Sequence, residues 1–373
     1  MRVYSAFNGY SGANVALDRA DKKVTTYLAS ETDKWCNAVT RYNYPNTKFI
    51  GDITKVNPNS IKDIDLMIGG SPCQDVSFSG KGKGLVDGKR SNLFFTWLDH
   101  LKEIKPKYFL LENVKMKKEY ENMITMALGV APMMIPSSLV SGQKRDRLYW
   151  FNWNCDLPKD KNIYLRDVVE DGAVDRDKSF CIDANYWKGG NLKSYFVKNR
   201  RQLVFDDHRC IQVGIADIKG YDVIKRVYAR EGKAPTLTTM QGGHREPKVV
   251  CGQMVGRKIN PKTGKRDDYN PNIKTEQRIE LKGDGKTGAL TTVQKDNLVV
   301  TDKYWRALTP RECERLQTLA DDYTLFGDFD ESRYPSDDDY DIKEISKTQR
   351  YKMLGNGFTV DVIAHILRSM PNG

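Results

Sequence analysis

The most constraining feature of this chain is an alternation. Over residues 1–115, short apolar runs that read as strands take turns with stretches whose apolar residues recur at helical spacing. Val3 to Phe7 reads as a strand, followed by a glycine turn and a helix from about Gly12 to Arg19. Val24 to Ala29 reads as a second strand, Phe49 and Ile50 end a third, and Ile64 to Ile68 form a fourth. Leu93, Phe94, Trp97, Leu98, Leu101 and Ile104 mark one face of a helix over Asn92 to Ile104, and Tyr108 to Leu111 reads as a fifth strand. Such a chain is driven to an α/β fold, a parallel sheet wrapped by helices, because each crossover helix must bury its apolar stripe on the sheet. Ligands of these sheets sit at the carboxyl ends of the strands. Phe7 to Gly12, Glu31, Asp52, Cys73 and Glu112 all fall at such ends.

The residue types at those ends suggest chemistry. Gly9 and Gly12 form G-x-x-G, which lets the backbone approach a ligand at a helix N-terminus but lacks the third glycine of a dinucleotide fingerprint. A tight turn explains that pattern equally well. Glu31, after the second strand, can hold the hydroxyls of a ribose. Asp52, in Gly51-Asp52-Ile53 after the third, can accept a hydrogen bond from an exocyclic amine. Singly, each acid reads as a solvated loop residue. Together with the glycine turn they favour an adenosine-containing cofactor held without a phosphate clamp, with S-adenosyl-L-methionine the main candidate.

The fourth strand runs into SPCQDVSFSGKGKG. Cys73 stands behind Pro72 and ahead of a polar, glycine-rich loop that carries Lys81 and Lys83 and could close as a lid. A thiol becomes a nucleophile as the thiolate, in an electropositive and partly exposed setting. The seven cysteines are scattered and never spaced C-x-x-C, which argues against a disulfide frame and a zinc finger. Most read as small buried hydrophobes, but the neighbours of Cys73 do not suit a core. Glu112 ends the next strand and should lie beside it. A thiol with a nearby carboxylic acid suits attack on an electron-poor ring that is protonated as it is attacked. Cytosine meets that need: addition at C6 makes C5 an enamine carbon that can take a methyl group, while Glu112 engages N3. The target atom is unreachable inside a duplex, so the base would be flipped out. A net charge of +11 agrees with a polyanionic partner, although a plain basic surface accounts for it as well.

Composition changes after Trp153. Residues 1–153 read as a catalytic and cofactor-binding domain, 154–300 as a smaller, mostly β domain, and 301–373 as a helical return segment completing the first. GKAPTLTTMQGGHREPKVV (232–250) and GKTGALTTVQKDNLVV (285–300) resemble each other and read as paired β elements. Thr309 with Glu312 reads as a capping box opening a helix through Leu319. Residues 320–344 read as an acidic loop, and Thr359 to Ser369 as a terminal helix. No run of about 18 apolar residues suggests a membrane span, and no apolar leader is visible. The expected setting is the cytoplasm of a bacterial or phage-infected cell, or its nucleoid, and the expected form a monomer without metal.

These segments, in their order and spacing, resemble the DNA (cytosine-5) methyltransferases over nearly the whole chain. FNGYSG, GGSPCQDVSFSGKGKG, ENV (112–114), QKRDR (143–147), RALTPRECERLQTL (306–319) and GNGFTV (355–360) match the family's motifs. The resemblance implies a Rossmann-like methyltransferase sheet with an inserted, mostly β target-recognition domain. It also implies S-adenosyl-L-methionine as cofactor, double-stranded DNA as partner, and a role in DNA methylation of the restriction-modification kind. Cys73 is then the nucleophile and Glu112 the acid on the cytosine ring. Arg147 helps hold the flipped base, and Arg145 supports the site. Phe7, Gly9 and Gly12 line the cofactor, with Glu31 on the ribose, Trp35 or a neighbour near the adenine, and Asp52 with Ile53 at its amino group. Pro72 and Leu93 pack near the methionine end, and Asn356 and Thr359 close the pocket. Ser77, Ser79 and Lys81 of the closing loop meet DNA, Ser79 near the gap left by the base. In the recognition domain the family's Thr-Leu is matched by Thr236-Leu237 in residue type and by Ala289-Leu290 in spacing. Two departures stand out: the stretch between ENV and the arginine motif is short, and the acidic 320–344 segment is long. An RNA cytosine methyltransferase would be expected to carry a Cys-Phe-Thr signature that this chain lacks. A non-enzymatic DNA-binding module would not need Cys73, Glu112 and Arg147 together.

Overall fold

Seven strands build the central sheet: β1 (Arg2–Ala6), β2 (Thr26–Ser30), β3 (Lys48–Phe49), β4 (Leu66–Gly70), β5 (Tyr108–Val114), β6 (Met133–Pro136) and β7 (Asp146–Phe151). Their order is β3-β2-β1-β4-β5-β7-β6. β1 to β5 run parallel, and β7 is antiparallel to both β5 and β6. The computed structural model describes residues 1–71, 92–188, 195, 198–205, 212–215, 226–228, 248–249, 251–258, 267, 270–271, 273, 276–281, 297–299, 305–331 and 341–371. Pro72, Cys73, Ser77, Ser79, Lys81 and Thr236 lie outside the described residues.

The first five strands follow the apolar runs. β4 is buried over Leu66, Met67, Ile68 and Gly69, as a parallel strand covered on both faces must be. Helices α1 (Gly12–Arg19), α2 (Lys34–Asn43), α3 (Asn92–Ile104) and α4 (Lys118–Leu128) make or follow the crossovers, and α5 (Pro310–Leu316), α6 (Lys347–Asn356) and α7 (Val360–Arg368) come from the end of the chain. α3 drives Phe94, Trp97 and Leu98 into the core against Met67 and Phe109. Burial of each such side chain contributes roughly 1.5–3 kcal/mol. α5 opens with the expected capping box: Thr309 Oγ1 accepts from Glu312 N, and Glu312 Oε2 accepts from Thr309 N. The helix ends at Leu316, before the Leu319 that the sequence pattern includes.

Several described elements have no counterpart in the sequence pattern, α4 and α6 among them. β6 is only four residues long. β7 opens on Asp146 and Arg147, which interrupt its apolar run. α2 buries small residues, Cys36, Ala38, Val39 and Thr40, so its stripe is weak in the sequence. Strand order reverses between β1 and β4, which places the switch point of the sheet where the carboxyl ends of these two strands part.

The described chain divides into two compact units. Met1–Glu170, Val174–Leu203 and Ala307–Gly373 form the first, and Asp171–Ala173 with Val204–Arg306 the second. The second contains two three-stranded sheets. In one, Arg226–Tyr228 lies between Gln212–Ile215 and Lys248–Val249; in the other, Cys251–Arg257 lies between Glu276–Leu281 and Asn297–Val299. Val249 and Val299, from the two similar stretches, thus fall in different sheets and are not paired with each other. In the first unit, part of the acidic segment forms the hairpin Phe326–Asp328 and Ile342–Glu344 beside α2. Asp322 and Asp321 pair with Arg311 and Arg315, so these acids balance neighbouring arginines. Among the described residues no helix is long and apolar enough to cross a membrane.

Candidate active site

A cavity of about 490 Å³ opens at the switch point of the sheet. Its walls come from the turn after β1, the ends of β2, β4 and β5, the loop after β3, the beginning of α3, the start of β7, and the loop that joins α6 to α7.

The turn after β1 is backbone-rich and strained. Phe7, Gly9 and Ser11 all take left-handed conformations, with φ of 57°, 56° and 68°. Only Gly9 adopts this without cost; for a bulky residue such as Phe7 it is a rare state held by its surroundings. The space a Cβ on Gly9 would occupy is open, so its main chain is laid bare. Buried Asn8 anchors the turn, donating to Thr40 Oγ1 and accepting from Tyr27 OH.

Glu31 is already engaged by backbone. Oε2 accepts from Gly9 N at 2.9 Å, and Oε1 accepts from Thr32 N and Asp33 N. Of a carboxylate's four or so lone-pair positions, about one is left for a ligand. Asp52 Oδ1 accepts from Thr54 N and Oγ1, and these bonds hold its carboxyl below the usual carboxylate range. Asp33 caps α2 through Trp35 N, and its other oxygen meets Lys352 Nζ of α6 at 2.6 Å. The Cys36 thiol lines the same wall and is pushed well up by burial.

On the far side stand Glu112, Arg145 and Arg147. Gly70, at the end of β4, is registered directly opposite Glu112 of β5. A Cβ on Gly70 would sit 3.1 Å from Glu112 Oε2 and 3.1 Å from the Phe358 ring, so glycine lets both close in. Arg147 Nε lies 3.0 Å from Glu112 Oε1, with both side chains mostly buried. Arg145 is deeper, 3% exposed. Its guanidinium donates to the carbonyls of Ile182, Gly355 and Gly357 and to Cys181 Sγ. Tyr149, opposite Glu112 in register, is kept a neutral phenol by burial.

Of the residues singled out in the sequence, Phe7, Gly9, Gly12, Glu31, Asp52, Ile53, Leu93, Glu112, Arg145, Arg147 and Asn356 line this one cavity. Trp35 does not; its ring packs edge-on to Phe329, 5.2 Å between centroids, while Thr32, Asp33 and Cys36 face the space. Thr359 also stands off the cavity, its hydroxyl buried among Ser137, Gln143 and Gln317. Phe358, Gln143 and Gln317 lie within the matched motifs without a role of their own in the sequence, and Lys352 lies outside them. Phe358 and Lys352 line the cavity, and the two glutamines stand behind it; Gln143 precedes β7 and Gln317 follows α5, where no apolar period marks them.

The donor set fits an adenosyl group without phosphates. Carboxylates stand at the ends of β2 and β3, and bare backbone at the turn after β1. Among the described residues, the cations on the wall are occupied: Lys352 by Asp33, Arg147 by Glu112, Arg145 by carbonyl groups, and none of these is left over to clamp a pyrophosphate. Among the described residues no cluster of three or more His, Cys, Asp or Glu could hold a metal ion.

Comparison with known proteins places this architecture. The family model for C-5 cytosine-specific DNA methylases matches residues 1–127 and 141–372. The orphan methyltransferase M.Rho11sI of Bacillus phage rho11s is 26% identical, with 99% of this chain and 97% of the relative covered. The type II methyltransferase M.HhaI of Haemophilus parahaemolyticus is 26% identical over 98% of this chain and 93% of its own. Among solved structures, the Entamoeba histolytica methyltransferase EhMeth shares the fold with a TM-score of 0.55 at 13% identity, covering 99% of this chain and 97% of that one.

Proposed function

We propose, for a chain that belongs to the C-5 cytosine-specific DNA methylase family, that it methylates C5 of cytosine within a specific sequence of double-stranded DNA, with Cys73 as nucleophile and Glu112 at N3. The observation that carries this reading is the position of Glu112: opposite Gly70, the last residue of the strand that leads to Pro72-Cys73, and on the wall of a cavity with the donor set of an adenosyl site. When bound, S-adenosyl-L-methionine supplies an electrophilic methyl group. Glu31 and Asp52 would hold its ribose and adenine amino group, with Phe7, Gly9, Gly12, Ile53, Leu93 and Asn356 around it and Pro72 near its methionine end.

Every other step falls to side chains of the chain itself. The Cys73 thiolate adds to C6 of a flipped cytosine, forming an S–C6 bond and moving a ring electron pair towards C5. Glu112 holds N3 and a proton there as charge builds on the ring. Once C5 carries the methyl, its proton leaves to a base, the S–C6 bond breaks, and Cys73 is restored. Arg147 orients Glu112 through the 3.0 Å contact. Residues 154–300 serve target recognition, with Thr236 in contact with DNA, and Ser77, Ser79 and Lys81 meet the duplex where the base has left.

The test is transfer of a labelled methyl group to duplex DNA and to tRNA by the wild-type chain and by Cys73→Ala. The reading predicts labelled DNA, unlabelled tRNA and no product from the variant. Label on tRNA alone, or full transfer by Cys73→Ala, contradicts it.

A further inference from the structure

Gln317 has no place in the chemistry above, yet its amide uses all of its hydrogen-bonding capacity at the back of the cavity wall. Fully buried, it follows α5. Its Nε2 donates to Leu354 O at 2.6 Å and to Gly357 O at 3.3 Å. Its Oε1 accepts from Gln143 Nε2 and from Thr359 Oγ1, each at 2.9 Å. Its carbonyl takes the N–H of Val360. Leu354 and Gly357 flank Gly355 and Asn356, and Gly355, Asn356, Gly357 and Phe358 line the cavity. Gln143 lies two residues before Arg145, whose guanidinium holds the same Gly357 carbonyl at 2.9 Å. One amide therefore joins the loop on the cofactor side to the segment that carries the two arginines.

We propose that Gln317 is a positioning residue for cofactor binding: it sets the Gly355–Phe358 wall through the carbonyls of Leu354 and Gly357 and ties that wall, through Gln143, to Arg145 and Arg147. The proposal rests on the cavity being the cofactor site. It also gives Thr359 its place, as a hydroxyl that orients Gln317. A buried amide that satisfies two donors and two acceptors at once has no freedom to turn, so the loop it holds is fixed before the ligand arrives and less of the binding energy goes to ordering it.

The test is calorimetric binding of S-adenosylhomocysteine to the full chain, beside steady-state kinetics with saturating DNA. Wild type must bind; if it does not, the reading of the cavity fails, independently of Gln317. Given binding, Gln317→Leu raises Kd and the KM for S-adenosylmethionine about tenfold, in the range a lost buried hydrogen bond produces, and leaves kcat at saturation within about threefold, since uniform binding alone is lost. A residue that merely held the fold would lower the yield of folded chain and leave Kd unchanged; Kd within about twofold of wild type overturns the proposal. Should Gln317→Leu fail to fold, Gln317→Glu carries the test. Its carboxylate would face two carbonyls, so binding weakens at pH 8. Burial beside two carbonyls raises the pKa of that carboxyl, and protonation restores one donor, so affinity must recover, relative to wild type at the same pH, as the pH is lowered to about 5.5. No recovery rules the proposal out.

Discussion

Arg147 reaches Glu112 diagonally across the β5–β7 pair. Register sets Arg147 opposite Val114 and Glu112 opposite Tyr149, yet Arg147 Nε ends 3.0 Å from Glu112 Oε1. Diagonal neighbours two residues apart on a sheet face are within reach of long side chains, and the directed N–H of a guanidinium fixes how the carboxylate is aimed.

Removing that aim should cost catalysis more than binding. Arg147→Ala is expected to lower kcat by about 10²-fold, the usual loss when a catalytic group is displaced by about an ångström. Arg147→Lys should not rescue it, since an ammonium cannot replace the planar fork. Single-turnover kinetics with saturating cofactor and DNA checks both.

Glu112→Gln retains shape and removes the acid. Its kcat should fall about 10²–10⁴-fold, while S-adenosylhomocysteine binds within about twofold of wild type. A fall in cofactor affinity without a fall in kcat would show that Glu112 faces the wrong ligand.

Gly70→Ala tests the close approach at the end of β4. The added Cβ would meet Glu112 Oε2 and the Phe358 ring at 3.1 Å each. Overpacking of this size costs roughly 1–3 kcal/mol of stability. The account predicts a folded chain whose turnover drops about tenfold or more, because the group pushed aside is the reactive carboxylate. A melting curve and a rate measured on the same preparation separate the two effects.

Burial holds the His100 imidazole below its ordinary value of 6.5, with neighbouring Asp99 acting the other way. Its ring meets the Tyr4 hydroxyl at 3.2 Å. The unfolded chain therefore takes up this proton more readily than the folded one. The resulting stability is full above about pH 6.5 and declines as the pH falls through that value. It levels off below the folded-state value. Urea midpoints between pH 8 and pH 5 should show this decline in wild type and a flatter course in His100→Gln.

The five parallel strands and part of the cavity were legible in the sequence for one physical reason: a doubly wound sheet puts its ligands at strand ends, and apolar runs locate those ends. Glu31, Asp52 and Glu112 each close such a run, and all three line the cavity. Where side-chain direction matters more than position, the pattern is silent. Trp35 lies within α2, but its indole turns towards Phe329. Thr359 belongs to a motif at the pocket, but its hydroxyl points away to Gln317. The left-handed backbone at Phe7 and the Gln143–Gln317 contact arise only from tertiary packing, and no local propensity announces either.

The central claim is that Cys73 forms a covalent bond to the target base, and duplex DNA carrying 5-fluorocytosine tests it most directly. Fluorine at C5 cannot leave as a proton does, so with S-adenosylmethionine present the wild-type chain should be trapped as a denaturant-resistant adduct of protein, methyl group and DNA. Cys73→Ala should give none. An enzyme that methylates ordinary cytosine in the same duplex yet forms no adduct, or one whose Cys73→Ala form is trapped as fully as wild type, would contradict the account.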